Sequence, residues 1–384
     1  MTLFRKTKGR FISILFGMLF LMFLCSCSAE KKEQSTDIPG LTLTEKTVNV
    51  YAGEFSIERY EEGYRRILIG EQSLFLVPEG KTVPEGLPKE SIVIRQPVDK
   101  IYMASSSAMS FFVSLDRLDS VEFTSTTAGD WTDETVRNAV HDDRITYVGK
   151  YSAPDYEWLL SEGCGLTVEN TMILHNPSVK EKLEQLGIPV MIERSSYEKH
   201  PMGRLEWVKV YGTILGCEEE AEKWFSEKDQ RFRELTVERS GSHKKVAYFS
   251  FSTGGYVNVQ RPAGYFAEMI RLAGADYAYT AEDLNAKEEE SSNMHLSRDQ
   301  FYQLTKDADV LIYNGSIYGN IPNLDTLLKE EPLMRDFAAV KSGNVYCTRD
   351  NLFQEPTKVT ELLSELISIL DGKEFQEAFL YRLR

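Results

Sequence analysis

From residue 100 onward the sequence alternates short apolar runs with amphipathic stretches, and that alternation constrains the fold more than any other feature. Residues 100–103, 121–124, 145–148, 166–169 and 190–193 read as strands, and residues 107–115, 133–138, 155–161 and 178–186 as the helices between them. Strands separated by helices of this length imply βαβ units, hence a mostly parallel, doubly wound sheet with right-handed crossovers. Residues 203–215 then read as a helix stopped at Leu215-Gly216, and residues 218–238 as a second helix. Its opening Glu218-Glu219-Glu220 suits the positive end of the helix dipole, and Ala221, Trp224, Phe225, Phe232 and Leu235 mark one face at helical spacing. Unbroken, this helix is ~30 Å long at 1.5 Å per residue. The alternation restarts with strands at 246–251, 309–313 and 344–347 and helices at 265–272, 324–329 and 357–370. Four short strands at 48–51, 66–69, 74–77 and 91–95 precede the first half. The expected fold class is α/β, two halves around a helical centre.

The N-terminus gives an address. Residues 1–10 are basic and residues 11–24 form a 14-residue apolar run, shorter than the ~20 residues of a spanning helix. Leu24-Cys25-Ser26-Cys27 then resembles a bacterial lipobox, with Leu at −3 and a small residue at −1 of Cys27. Cleavage before Cys27 leaves a diacylglycerol on its sulfur and an acylated protein held at the membrane. The expected division is a signal peptide at 1–26, a flexible tether at 27–44, a first α/β lobe at 45–201, connecting helices at 202–238 and a second α/β lobe at 239–384. The expected location is the extracytoplasmic face of the cell envelope. Net charge is −15 with four basic and no acidic residues among the first 26, so the remainder carries −19. Such a body repels a phosphate backbone, which excludes nucleic acid as a partner.

Catalytic and cofactor signatures are absent: no P-loop, no HExxH, no CxxC and no nucleophile elbow. Ser252-Thr253-Gly254-Gly255 lacks the Lys of a phosphate cradle and reads as a turn. The five His never form a close pair, so a metal site needs separated loops, for example His200 and His295 with a carboxylate. Cys164, Cys217 and Cys347 sit in apolar stretches and read as packing residues. No cofactor is expected. The positive signal lies in the loops at the carboxyl ends of the strands, where a parallel sheet gathers its ligands. These loops carry Trp131, Tyr151, Tyr197, Arg261 and Tyr265, flat apolar side chains with a few polar groups, which suit a ligand larger than a bare ion.

At this point the residues resemble a family. Tyr151-Ser152-Ala153-Pro154-Asp155-Tyr156-Glu157, Val168-Glu169-Asn170-Thr171-Met172-Ile173, Leu186-Gly187-Ile188-Pro189-Val190 and the run from Ser195 through His200-Pro201-Met202-Gly203-Arg204-Leu205-Glu206-Trp207 are similar to the solute-binding lipoproteins of iron-complex and cobalamin ABC importers. Leu272-Ala273-Gly274 and Val310-Leu311-Ile312-Tyr313 fit the second lobe of that family. The resemblance covers residues 45–370 and implies two Rossmann-like lobes joined by a single long backbone helix, with the ligand between them. It implies a monomeric, non-enzymatic subunit that captures a metal complex (a ferric siderophore, haem or a corrinoid) and delivers it to a permease. Trp131, Tyr151, Tyr197, Arg261 and Tyr265 are then the expected ligand contacts, Arg261 pairing with a carboxylate or phosphate. The family docks through one exposed Glu on each lobe; the matching positions are Glu268, six residues before Gly274, and, one turn off the pattern, Glu181. Two alternatives stay open: a receptor for bare Zn²⁺ or Mn²⁺, and a secreted hydrolase using Glu169, Asp155 or Asp130 as acid and base.

Overall fold

The computed structural model describes residues 38–237, 241–284 and 293–384; the lipobox and Cys27 lie outside them. The chain opens with a sheet of its own. Strands β1 (Leu43–Lys46), β2 (Phe55–Tyr60), β3 (Arg65–Ile69), β4 (Gln72–Val77) and β5 (Ser91–Arg95) lie side by side in chain order, antiparallel except for β4 and β5. Alternate residues face opposite sides of a strand. Phe55, Ile57, Ile67, Ile69, Leu74 and Leu76 therefore enter the main core, while Tyr60, Phe75 and Val77 form a small second core with Ile38. Two expectations change here. The tether does not reach residue 44, because Ile38 is buried and β1 begins at Leu43. Residues 48–51 are not a strand; β2 lies further on.

The first lobe carries a wholly parallel sheet of β6 (Ile101–Met103), β7 (Val121–Thr124), β8 (Thr146–Tyr147), β9 (Leu166–Glu169) and β10 (Val190–Ile192), in the order β10-β9-β6-β7-β8. The chain starts at the centre, winds one way and then the other. Its direction reverses between β6 and β9, where an open α/β sheet opens a crevice at its carboxyl edge. Ile101, Met103, Leu166 and Val168 face the main core, while Tyr102, Phe123, Val190 and Ile192 pack under the outer helices through Leu159 and Leu183. Asp133 and Asp155 start two of those helices by accepting backbone N–H bonds from Thr135 (2.9 Å) and Trp158 (3.0 Å).

The expected helix at 203–215 is two helices, Pro201–Glu206 and Val208–Leu215, meeting at Trp207. Trp207 is fixed there by its indole N–H, which donates to Glu198 at 2.9 Å. The second ends at Gly216, whose φ of 67° is the left-handed cap that glycine adopts freely. The backbone helix Glu218–Thr236 follows, burying Ala221, Phe225 and Phe232.

The second lobe is mixed rather than parallel. Strands β11 (Lys245–Phe251), β15 (Val310–Tyr313) and β16 (Val345–Thr348) run parallel. β12 (Val257–Gln260), β14 (Asn293–Leu296) and β17 (Leu380–Arg382) are antiparallel to their neighbours, and β13 (Asp276–Tyr277) adds a short parallel pair to β11. The turn at Ser252–Gly255 sends the chain straight back along β11, as its sequence implied. One continuous core runs from the opening sheet through the central helices into this lobe.

Candidate ligand cleft

The carboxyl edge of the first-lobe sheet is a polar cluster buried at the seam with the second lobe. At the reversal point Ala104 and Ser105 both donate their N–H to Val168 O at 3.0 Å. Glu193, just past β10, is 2% exposed and accepts the Ser195 N–H at 2.7 Å. Burial pushes its carboxyl up, against the bonds from Ser195 and the pull of Arg204. Arg204 comes from the helix Pro201–Glu206, all of whose residues are buried and whose first turn is capped by His200 Nδ1, which accepts the Met202 N–H at 3.1 Å. Arg204 is 6% exposed, and its guanidinium lies 4.7 Å from the ring centre of Tyr265, the first residue of the second-lobe helix Tyr265–Leu272. Its Nε has no hydrogen-bond partner, and among the described residues it makes no ion pair. Tyr211 Oη is buried without a partner as well.

A second bridge joins the lobes nearby. The Thr132 N–H and hydroxyl donate to Gln354 Oε1 at 2.9 and 3.0 Å, and Gln354 Nε2 donates to the Asp130 carbonyl at 2.8 Å. On the second-lobe edge, Thr348 Oγ1 accepts the Gly315 and Ser316 N–H groups at 2.9 and 3.2 Å. Gly315 has no room for a side chain: an added Cβ would lie 2.7 Å from Cys347 Sγ and 2.8 Å from the Thr348 carbonyl.

The expected contacts are dispersed along this edge. Tyr265 stands in the cluster with Arg204, and burial raises its hydroxyl pKa. Trp131 is 2% exposed and closes its own loop, donating its indole N–H to Thr126 O at 3.2 Å. Tyr151 is half-buried over the outer core of the first lobe. Tyr197 is half exposed under Arg194, whose guanidinium lies 4.3 Å away and pairs with Glu54 at 2.8 Å. Arg261 is half-buried in the loop ahead of Tyr265. Sequence reasoning missed Arg204, Glu193 and Gln354. Two charges inside an otherwise apolar helix, at Arg204 and Glu206, were the available signal.

The remaining candidates are occupied locally. Asp155 caps its helix and Asp130 accepts the Thr127 hydroxyl at 2.6 Å. Glu169 is fully buried, and burial pushes its carboxyl up to about 8. His200 stacks on Tyr51 at 4.7 Å, whereas His295 pairs its Nδ1 with Asn258 at 2.7 Å, so the two His belong to different neighbourhoods. Among the described residues no three His, Cys, Asp or Glu side chains are placed to hold a metal ion, and Cys164, Cys217 and Cys347 are free and buried. Of the expected docking residues, Glu181 is exposed, while Glu268 is half-buried and paired with Arg271 at 2.9 Å rather than projecting freely. A groove of about 550 Å³ is lined by Val50, Phe225, Asp229, Arg233 and Val237, on the backbone helix rather than at either carboxyl edge.

Comparisons with known proteins agree with this architecture. Two uncharacterized lipoproteins of Methanocaldococcus jannaschii are 23% identical over 253 residues and 28% identical over 181, covering 64% and 46% of this chain. These matches take in 57% and 44% of the relatives' own length, so the chain spans about half of the curated relatives it matches. Among solved structures, a periplasmic haem-binding protein of Vibrio cholerae superposes with a TM-score of 0.56 at 17% identity, covering 70% of this chain and 98% of that one. A periplasmic haem-binding protein of Pseudomonas aeruginosa gives 0.57 at 16%, covering 74% and 98%. A periplasmic catecholate-siderophore binding protein of Vibrio cholerae gives 0.55 at 12%, covering 73% and 95%. The fold is the two-lobed one of these binding proteins, which are not enzymes. A family model for periplasmic binding proteins matches residues 126–352, more than half of the chain, and the chain belongs to that family.

Proposed function

We propose that the protein is a lipid-anchored solute receptor of an ABC importer, which captures a metal complex between its lobes and hands it to a permease. The observation that carries this reading is the seam itself. Polar side chains from both lobes meet there, Arg204 with Tyr265 and Thr132 with Gln354, and several of the first-lobe groups are buried without a partner. A ligand that bridges the lobes would satisfy groups the protein leaves open. The structural neighbours, periplasmic binding proteins for haem and for a catecholate siderophore, support a metal complex as the solute. The lipobox and the lipoprotein names of the relatives support an anchor at Cys27.

Incubation of the purified protein with ferric siderophores, haemin and cobalamin in turn, followed by absorbance of the protein fraction, tests the reading. Retention of one complex is expected; retention of none, with tight binding of bare zinc instead, would replace it with a metal-ion receptor. Cys27→Ala should release the protein from membranes and stop incorporation of labelled palmitate, and undiminished labelling refutes the anchor. Delivery rests on Glu268 and Glu181 facing basic residues of the permease. Glu268→Arg should block uptake while leaving ligand affinity unchanged, with Glu181→Arg weaker, because like charges at a docking contact are strongly unfavourable. Normal uptake by the Glu268→Arg strain refutes that contact.

A further inference from the structure

Buried charges in folded proteins are paired or hydrogen-bonded, because an unpartnered ion removed from water is strongly unfavourable. Arg204 departs from this rule. It is 6% exposed, has an orphan Nε, and among the described residues pairs with no carboxylate. Its guanidinium lies 4.7 Å from the Tyr265 ring centre and bonds with that side chain, contacts that favour the cation but neutralise nothing. Glu193, the carboxylate that acts on it electrostatically, is itself buried and already accepts the Ser195 N–H at 2.7 Å. Beside it the Ser195 hydroxyl, 0% exposed, lies against the same carboxylate and so adds no counter-charge for Arg204. A cation with an unused donor thus stands where the first-lobe sheet edge meets a second-lobe aromatic.

We infer that this cluster receives an anionic group of the bound solute, a carboxylate or phosphate, gripped by Arg204 while Tyr265 closes over the guanidinium. A planar fork of N–H donors matches such a group bidentately, which an ammonium cannot do. The inference rests on the importer reading and narrows the solute to metal complexes that carry an acidic group. It also couples binding to lobe closure, since Arg204 and Tyr265 come from opposite sides of the seam.

Three pairs of probes separate the two ideas: haemin and its dimethyl ester, cobalamin and dicyanocobinamide, ferric citrate and ferrichrome. Each pair contrasts a complex bearing carboxylate or phosphate with one lacking it, and the pairs tell the two acids apart. Each probe is titrated by absorbance against the wild type, Arg204→Met and Arg204→Lys, with circular dichroism confirming that the variants fold. The wild type should prefer the acid-bearing member of a pair by about tenfold or more, and Arg204→Met should weaken that member by about thirtyfold, leaving its neutral partner within about threefold. Arg204→Lys should fall between, keeping charge without the fork. Equal affinity of Arg204→Met and the wild type for the acid-bearing complex overturns the inference, as does preference for the neutral member, and either result leaves the importer reading standing. Failure of the wild type to bind any of the six overturns the importer reading itself.

Discussion

The seam that ties the opening sheet to the central helices and the carboxyl edge of the first lobe bury similar side chains and treat them in opposite ways. At the seam Glu206, fully buried, accepts N–H bonds from Val50, Tyr51 and Ala52 at 2.8–2.9 Å and lies 3.3 Å from Lys209 Nζ. Glu198 beside it accepts the N–H groups of Gly53 and Glu54 at 2.9 and 3.0 Å, and the Trp207 indole. The second lobe repeats the device, with Glu365 holding Ala378, Phe379 and Leu380 by their N–H groups at 2.6, 3.0 and 3.0 Å. At the carboxyl edge, by contrast, neither oxygen of buried Glu169 has a partner, nor does Arg204 Nε. At these two junctions each buried carboxylate holds two or three backbone N–H groups.

The comparison breaks first at Glu206. Glu206→Gln replaces an acceptor of three N–H groups with an amide whose own NH₂ must face them, and leaves Lys209 with Glu222, 3.1 Å away, as its one carboxylate partner among the described residues. Urea denaturation should show a loss on the order of 3 kcal/mol. A shift well under about 1 kcal/mol would mean that the carboxylate does not hold the opening segment.

Glu169 should respond in the opposite direction and with pH. Burial raises its carboxyl from an ordinary 4.5 to about 8. Below the lower value the group is protonated in both folded and unfolded chains and has no effect on the pH dependence of stability. Between the two values the unfolded chain releases the proton while the native state keeps it, so stability falls as pH rises, levelling off above about 8. Glu169→Gln keeps the shape without the charge. It should flatten that decline and stabilise the protein at pH 8 by roughly 2 kcal/mol. Parallel melting curves for the two proteins from pH 5 to pH 8.5 would show that Glu169 is solvated or paired in solution.

The same contrast explains what the sequence could and could not reveal. The alternation at 100–193 was legible because a parallel sheet covered on both faces imposes it. Residues 48–51 imitate a strand, yet Val48 is 86% and Val50 58% exposed, and their backbone is held by the Glu206 carboxylate instead of a neighbouring strand. Strand β2 was missed because its inward Glu58 looks like a surface residue, although it is buried 3.5 Å from Arg66. β12 and β14 were hidden because a two-stranded return along β11 interrupts the βα rhythm. Among site residues, aromatic loops were visible but their depth was not: Trp131 proved to be a loop anchor, Tyr265 part of the seam. Arg204 was invisible for a physical reason. A charge within an apolar helix can be paired or unpaired, and only the positions of residues distant in sequence decide which.

Arg204 gives the smallest effect on stability. Removing an unpaired buried guanidinium relieves its desolvation cost, while the stacking on Tyr265 at 4.7 Å is lost with it. Methionine fills much of the same volume and needs no partner. Because the first contribution exceeds the second when no anion is present, Arg204→Met should stabilise the ligand-free protein, by about 1 kcal/mol in urea denaturation. Glu206→Gln, at a charge of similar burial, must move the other way for the comparison to hold. Destabilisation of the ligand-free protein by Arg204→Met would show that Tyr265 and Glu193 already satisfy the cation, and would make the carboxyl edge as self-sufficient as the Glu206 junction.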